Sequence, residues 1–168
     1  MMQTDVKQAH LNGSGFMVLG RNRIRGISFT GSATAGYVAL FDTTTAPVTT
    51  ATYGRSGTTV TVTQSAHGLV TGQVIGIDFA AGTGGTATNG NYAVTVTNSS
   101  TFTITDINSG TITATPAMVY ANKWLLSYDV AASDSFNNSP IIPAEGVVVN
   151  DGVYAQMSNV VATNIYYG

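Results

Sequence analysis

Hydrophobic and polar residues alternate along most of this chain, and a period of two predicts β-strands. The runs that flank the middle of the chain are RIRGISFTG (23–31), GYVALFD (36–42), KWLLSYDVA (123–131) and NVVATNIYYG (159–168). They are rich in β-branched and aromatic residues, and turn-forming Gly, Asp, Ser or Asn bound them. Residues 2–11 are the best helix candidate, but they lack a sustained period of 3.6. We therefore expect an all-β protein.

A second pattern fills the middle of the chain, where Thr alternates with Val, Ile or Phe. Its five short strands are TTVTVTQ (58–64), QVIGIDF (73–79), NYAVTVTN (91–98), TFTITDI (101–107) and GTITAT (110–115). Such alternation is typical of small antiparallel sheets with one wet face. A low-complexity tract would show similar repetition, but Phe79, Tyr92 and Phe102 supply a core. The flanking segments, TTTAPVTTATYGRSG and TATPAMVY, have the Thr, Ala and Pro content of linkers.

These patterns predict one discontinuous domain with an insertion. Residues 16–56 and 116–168 are expected to form an antiparallel, jelly-roll-like β-sandwich. Residues 57–115 are expected to form a small five-stranded β-barrel inserted into one of its loops, which should fold by itself. Residues 1–15 are polar and glycine-punctuated, and we expect an N-terminal arm that orders only against a neighbour. Within the sandwich, GVVVNDGVYAQM predicts a hairpin turning at residues 150–152.

Composition narrows the classes of function. Only 8% of residues are charged and the formal net charge is -2, which disfavours nucleic-acid and membrane-surface binding. No apolar run is long enough to span a bilayer, and we expect no secretory signal. The absence of cysteine excludes disulfides and thiolate chemistry. A surface so poor in charge is typical of a protein that contacts other protein, so we expect an oligomer or a component of an assembly.

His67 lies in SAHGLVTGQVIGIDF (65–79), and the question is whether it does chemistry or shapes a turn. A metal site or a catalytic triad needs nearby partners, yet no carboxylate falls within ten residues of His67. The turn pattern is clearer, because Gly68 follows the histidine and Thr71-Gly72 provides a second turn. We interpret His67, Gly68, Thr71 and Gly72 as a structural turn of the barrel. Contact with a ligand and catalysis are the alternatives.

The same segment carries a resemblance. His67-Gly68-Leu69, Thr71-Gly72, Val74 and Ile77, followed by Asn89-Gly90, Tyr92, Val94 and Thr101-Phe102-Thr103-Ile104, resemble the small β-barrel module related to the FCCH domain of ubiquitin-activating enzymes. Such modules recur as insertions in phage structural and tail proteins. The resemblance covers about a third of the chain. It implies a rigid interaction module and no ubiquitin chemistry.

The outer segments carry a second resemblance. RIRGISFTGSATAGYVALFD and PAEGVVVNDGVYAQMSNVVATNIYYG are similar to short virion proteins of tailed phages. The shared pattern is Gly-x-Val-x-Leu-Phe-Asp, a Pro-x-Glu-Gly turn and a last strand that ends near Tyr-Tyr-Gly. The resemblance implies a particle component without enzymatic activity, located in the virion after assembly in the host cytoplasm.

Candidate contact residues follow from charge and aromatic content. Arg21, Arg23 and Arg25 alternate, so a strand would place their guanidinium groups on one face. Such a stripe either protects a sheet edge or contacts an acidic protein, and nucleic acid is disfavoured by the charge balance. Tyr166 and Tyr167 on the last strand are the second candidate, although such aromatic residues also serve as core or as a sugar-stacking surface.

Enzymatic readings find little support. Glu145 and Asp151 flank one strand, about 20 Å apart if it is extended, which is too far for a glycosidase pair. GTGGTATNGNY (82–92) is rich in glycine, but it lacks the lysine and the helix of a phosphate loop and predicts a mobile loop. We expect no catalytic residue, metal or cofactor. The sequence favours a capsid decoration protein that binds the major capsid protein. The alternative is a tail or fibre component that binds a host receptor or a surface glycan.

Overall fold

The computed structural model describes residues 6–113, 115–136 and 145–168, and it contains strands and no helix in these ranges. The strands are β1 Lys7–Leu11, β2 Gly15–Leu19, β3 Asn22–Gly31, β4 Gly36–Asp42, β5 Val48–Thr63, β6 Val74–Phe79, β7 Gly90–Ala93, β8 Thr95–Asn98, β9 Thr101–Ile112, β10 Ala117–Ala121, β11 Lys123–Val130, β12 Ser135–Phe136, β13 Val147–Val149, β14 Gly152–Ser158 and β15 Val160–Tyr167. All strand pairs are antiparallel among these residues. The prediction of an all-β protein is confirmed.

The chain divides into two compact units. Unit 1 comprises Met1–Ala46 and Leu125–Gly168, and unit 2 comprises Pro47–Trp124. Val48 in β5 pairs with Tyr120 in β10, so the chain enters and leaves unit 2 at neighbouring points. The limits expected from composition, residues 57 and 115, differ from these, and residue 57 falls inside the continuous strand β5. The amino-acid composition changes at residue 57, but strand β5 continues through this residue.

Unit 1 is a sandwich-like arrangement of two sheets. One sheet has the order β1-β15-β3-β12, with β13 also paired to β3, and the other has the order β11-β4-β14-β2. Alternate apolar residues of both sheets form one buried cluster: Ile24, Ile27, Phe29, Val38, Leu40, Val130, Val149, Val153, Ala155 and Ile165. The alternation therefore predicts which side chains form this core. Jelly-roll connectivity is not confirmed.

Unit 2 is a single six-stranded sheet with the order β7-β6-β10-β5-β9-β8, curled into half a barrel. The predicted five-stranded barrel is not confirmed. TFTITDI and the first three residues of GTITAT (110–112) belong to one strand, β9, in which residues 106–109 bulge between the Thr59–Thr105 and Gly57–Gly110 pairs. NYAVTVTN is instead split at Val94, whose backbone N–H and C=O bond to the turn at residues 72–73.

The N-terminal segment differs from the expected arm. Strand β1 pairs with β15 in the register Lys7 to Tyr167 and Leu11 to Thr163, and Ala9 and Leu11 pack against the core of unit 1. The expectation that residues 1–15 order only against a neighbour is therefore wrong for Lys7–Leu11. Two alternate apolar side chains and the backbone bonds of a sheet edge order a segment that looked too polar to fold.

The turn at residues 150–152 forms where the sequence predicts it, but it does not close a hairpin. Strand β13 pairs with β3, whereas β14 pairs with β4 and β2 in the other sheet. The buried carboxylate of Asp42 accepts hydrogen bonds from the backbone N–H groups of Asn150, Asp151 and Gly152, at 3.0, 2.8 and 3.2 Å. A carboxylate that accepts these three donors holds the chain as it crosses between sheets, and local turn residues cannot predict that crossing.

Candidate functional site

The candidate arginines and tyrosines meet at one end of the sheet that contains β3 and β15. Tyr166 pairs with Gly26 and Tyr167 pairs with Ile24, so Arg25 is the additional residue of a β-bulge opposite the two tyrosines. Arg23 lies on the same strand and pairs with Val148 of β13. The structure thus brings together two groups of residues that lie about 140 positions apart in the sequence.

Arg21 lies outside β3, so the strand alternation expected for three arginines applies only to Arg23 and Arg25. The turn before β3 has its own bonds. The side-chain amide of Asn22 donates to the carbonyl of Gly20 at 3.0 Å, and the N–H of Gly20 donates to the carbonyl of Asp151 at 2.8 Å. Gly20 has a φ of 80°, a conformation that favours glycine. This turn presents Arg21 as an exposed residue beside the start of β3.

The three guanidinium groups have different surroundings. Arg23 forms an ion pair with Glu145, 3.1 Å between Nη1 and Oε2, in which Arg23 is partly exposed and Glu145 is well exposed. The Nε atom of Arg25 is buried and has no hydrogen-bond partner among the described residues. The Arg21 guanidinium has no ion-pair partner in that part of the chain. A depression of about 260 Å³ lies beside them, lined by Arg21, Asn22, Arg23, Val148 and Gly168.

Positive charge is concentrated at this end of the sheet. The chain has six basic residues, Lys7, Arg21, Arg23, Arg25, Arg55 and Lys123. Lys7 pairs with Tyr167 on β15, so four of the six belong to β1, β3 or the turn before β3. Glu145, which pairs with Arg23, and Asp151, whose carbonyl accepts the N–H of Gly20, lie beside these residues. The four basic residues therefore leave a local excess of positive charge that is smaller than four in a chain only 8% charged.

The two tyrosines are not equivalent. Tyr167 is half-buried and packs against the core cluster of unit 1, so its ring contributes to the sandwich. Tyr166 is also half-buried but is not part of that cluster, and it lies between Gln8 of β1 and Gly26 of β3. Tyr166 is the better placed of the two for contact with a partner.

His67 is held at the turn of unit 2 through both ring nitrogens. Nδ1 accepts a hydrogen bond from the N–H of Leu69 at 3.0 Å, which leaves Nε2 as the donor to the carbonyl of Asn98 at 2.8 Å. The ring also contacts Phe102 edge to face, 5.3 Å between centroids. Gly68 and Gly72 have φ values of 65° and 89°. The hydroxyl oxygen of Thr71 accepts the N–H of Val96 at 2.9 Å.

We predict that His67→Ala lowers the unfolding free energy of unit 2 by about 1 kcal/mol, the scale of one hydrogen bond. The variant loses the link between the turn and Asn98, while the rest of the half-barrel keeps its core. Urea unfolding of both proteins measures the difference. Calorimetric titration with zinc is the check on function, since stoichiometric zinc binding by the wild type and not by the variant would show that His67 is a ligand.

Sequence reasoning missed a buried ion pair in unit 2. Arg55 and Asp106 lie on neighbouring strands, 2.5 Å apart between Nη1 and Oδ2, and are 8% and 1% exposed. The available signal was the isolation of these charges, since Asp78 and Asp106 are the only full charges between Gly57 and Pro116. Charged residues in an otherwise uncharged β region are expected to be paired when they are buried.

This pair holds the glycine-rich loop. Asp106 accepts the N–H of Thr88 at 3.2 Å and that of Asn108 at 3.1 Å. The hydroxyl of Tyr53 accepts the N–H of Ala87 and donates to the carbonyl of Ala80. A loop bonded at so many points differs from the mobile loop that its glycines predict. Burial raises the pKa of Asp106, but the hydrogen bonds from Thr88, Asn108 and Arg55 outweigh burial, and the pKa lies below its usual value.

The described residues include no group of three or more His, Cys, Asp or Glu side chains placed to hold a metal ion. They also include no helix with the length and apolar character to cross a membrane. Comparison with protein-family models, curated proteins and solved structures finds no match for this chain. The resemblances to the FCCH-related module and to phage virion proteins therefore stay predictions from the sequence.

Proposed function

We propose that this chain is a structural protein of a phage virion, a decoration protein that binds the major capsid protein through the positive end of the β1–β15–β3 sheet. The observation that carries the proposal is the concentration of Lys7, Arg21, Arg23 and Arg25 around Tyr166 in a chain otherwise poor in charge. Arginine and tyrosine are enriched where proteins bind one another, and a positive surface fits an acidic neighbour.

The organisation of the polar residues also supports a role in binding rather than in catalysis. Arg55, Asp106, Asp42 and His67 all bond to backbone or to each other, and these bonds secure two turns, a loop and the pairing of β5 with β9. A catalytic group needs a free, oriented atom facing substrate. The place in a virion rests on the resemblance, and a homo-oligomeric state rests on the low content of charge. The resemblance does not distinguish head from tail, so the head location is part of the proposal alone.

The experiment is binding to purified head particles that lack the protein. Saturating and symmetric occupancy of the capsid in a particle reconstruction supports a decoration protein. Density at the tail or on a fibre, or binding of the free monomer to host-surface glycans, would instead support the receptor- or glycan-binding alternative. Absence of the chain from every virion reconstructed would overturn the proposal.

We predict that changing Arg21 and Arg23 to Ser reduces affinity for head particles by about tenfold or more, because charge-assisted hydrogen bonds to partner carboxylates are lost. The loss should shrink in high salt, which screens exposed pairs. A triple variant that also carries Arg25→Ser tests whether the arginine of the β-bulge contributes to binding. Lys123→Ser removes one exposed positive charge from unit 2 and is the matched control. Full occupancy by the triple variant would place the anchor elsewhere.

A further inference from the structure

The depression beside Arg21 and Arg23 is lined by two arginines and by no acidic side chain. Arg21 and Arg23 line it together with Val148, Gly168 and Asn22, whose side-chain amide already donates to the carbonyls of Leu19 and Gly20. Each guanidinium carries five N–H donors. No carboxylate side chain lines the depression, and its volume of about 260 Å³ is below the range of cofactor pockets. The chemistry fits a single carboxylate side chain of a partner.

Glu145 already supplies one carboxylate to Arg23, but the contact is weak. A single oxygen contacts a single nitrogen, Nη1, and the side chains of Arg23 and Glu145 are 37% and 81% exposed. The Nη1 atom also lies 3.4 Å from the carbonyl oxygen of Glu145. Exposed pairs of this kind contribute little to stability and are screened by salt. A partner carboxylate that contacts Arg21 and Arg23 together would have more donors than Glu145 has.

We propose that this depression, defined by Arg21, Asn22, Arg23, Val148 and Gly168, binds a carboxylate on an acidic segment of a protein partner, and that Glu145 is an internal competitor for Arg23. That the partner is a capsid protein rests on the proposed function. The acidic character of the ligand does not rest on the proposed function, because it follows from the two arginines that line the depression. Glu145 thus sets the affinity of the site by occupying Arg23 until a second carboxylate replaces it.

The proposal makes two substitutions act in opposite directions. Glu145→Gln removes the competitor and should strengthen binding by about threefold to fivefold, the range of one exposed ion pair. Arg21→Ser with Arg23→Ser should weaken binding by about tenfold or more. Asp129→Asn is the matched control for the first change, since it removes one exposed negative charge from β11. Lys123→Ser is the matched control for loss of positive charge.

The measurement uses the full chain and a fluorescent hexa-glutamate peptide at low salt, with hexa-glutamine as the neutral peptide. We expect the wild type to bind hexa-glutamate and not hexa-glutamine, and Asp129→Asn to change the affinity much less than Glu145→Gln. Equal effects of Glu145→Gln and Asp129→Asn would show that the gain in affinity comes from the change in net charge. That result would contradict the proposal that Glu145 competes for Arg23. Failure of the wild type to prefer hexa-glutamate, or full binding by the double Ser variant, would overturn the site.

Head particles separate this inference from the proposed function. One outcome is that the double Ser variant loses particle binding while Glu145→Gln gains no affinity in either assay. That outcome would contradict the role of Glu145 as a competitor and would still support the proposed function. Selective peptide binding with the expected variant effects, but no binding to particles, would support the acid-binding site and contradict the decoration role.

Discussion

Replacing Asp106 by Ala is expected to lower the unfolding free energy of unit 2 by about 3–5 kcal/mol, the range for breaking a buried ion pair by removing one partner. The variant leaves the guanidinium of Arg55 buried without its carboxylate, in a position that is 8% exposed. It also removes the acceptor for the N–H of Thr88, which connects the glycine-rich loop to β9, and for the N–H of Asn108 within β9. Both losses act on the same segment, so they should add to a large effect.

Urea unfolding followed by tryptophan fluorescence measures this change. The chain has a single tryptophan, Trp124, whose backbone N–H and C=O bond to the side chain of Asn91 within unit 2. Its emission should therefore report on unit 2. Thr50→Ala removes an exposed side-chain hydrogen bond to Gln64 within unit 2 and serves as the matched control, with an expected cost of about 1 kcal/mol or less. A cost that small for Asp106→Ala would contradict the role assigned to the buried pair.

A double replacement separates the ion pair from the packing around it. Arg55→Met with Asp106→Leu removes both charges and keeps side chains of substantial volume. Because no buried charge is left without a partner, this variant should lose less stability than Asp106→Ala. The donors of Thr88 and Asn108 still lose their acceptor, so some loss of stability remains. Both variants lose these two hydrogen bonds equally, so a double variant less stable than Asp106→Ala would contradict a dominant cost from the unpaired guanidinium of Arg55.

The lowered pKa of Asp106 gives this stabilisation a pH dependence. Because the pKa of the folded state lies below the unfolded value of about 3.9, the carboxylate stabilises the folded state at pH values above about 4. The contribution decreases as the pH falls through the folded pKa. The difference in unfolding free energy between wild type and Asp106→Asn should therefore be constant from about pH 5 to 7 and shrink in stronger acid.

Strands could be predicted from the sequence where local alternation decides the structure. The run GYVALFD coincides with β4, and KWLLSYDVA and NVVATNIYYG contain β11 and β15. The errors concern non-local relations. Local alternation does not tell which sheet receives β13 or β14, nor that β1 joins the edge beside β15. Those choices depend on distant partners such as Asp42, which lies 108 residues from the turn it holds.

In the candidate site, too, local features could be predicted from the sequence and non-local contacts could not. Arg23 and Arg25 could be selected by residue type and spacing, and Tyr166 by its aromatic ring on the last strand. Their proximity could not be predicted, because it depends on the pairing of β15 with β3 and on the bulge at Arg25. The ion pair of Arg55 with Asp106 is a cross-strand contact of the same kind. Single-sequence patterns identify such charges but do not identify their partners.

The second large effect concerns the independence of the two units. The buried cluster of unit 2 consists of Ala51, Tyr53, Val60, Val62, Ile75, Ile77, Phe79, Ala87, Val94, Phe102, Ile104, Ile112, Met118 and Tyr120, and it shares no residue with the cluster of unit 1. We predict that residues 47–124 fold alone with a cooperative transition of about 4–12 kcal/mol, at roughly 0.05–0.15 kcal/mol per residue. Val48 and Tyr120 pair, so the cut ends are neighbours within the isolated unit.

Removal of unit 2 should leave unit 1 folded when Ala46 and Leu125 are joined by a short Gly-Ser linker, since insertions that enter and leave at neighbouring points are well tolerated. Circular dichroism and thermal unfolding measure the result. Excision of residues 57–115 is the matched control and should aggregate, because it retains half of β5 together with β10. Ala51, Tyr53, Met118 and Tyr120 would then lose the apolar side chains that bury them. The opposite result is a soluble product that unfolds cooperatively after excision of residues 57–115, and aggregation after excision of residues 47–124. That result would contradict the limits of unit 2 at Pro47 and Trp124 and would support the limits at residues 57 and 115 expected from composition.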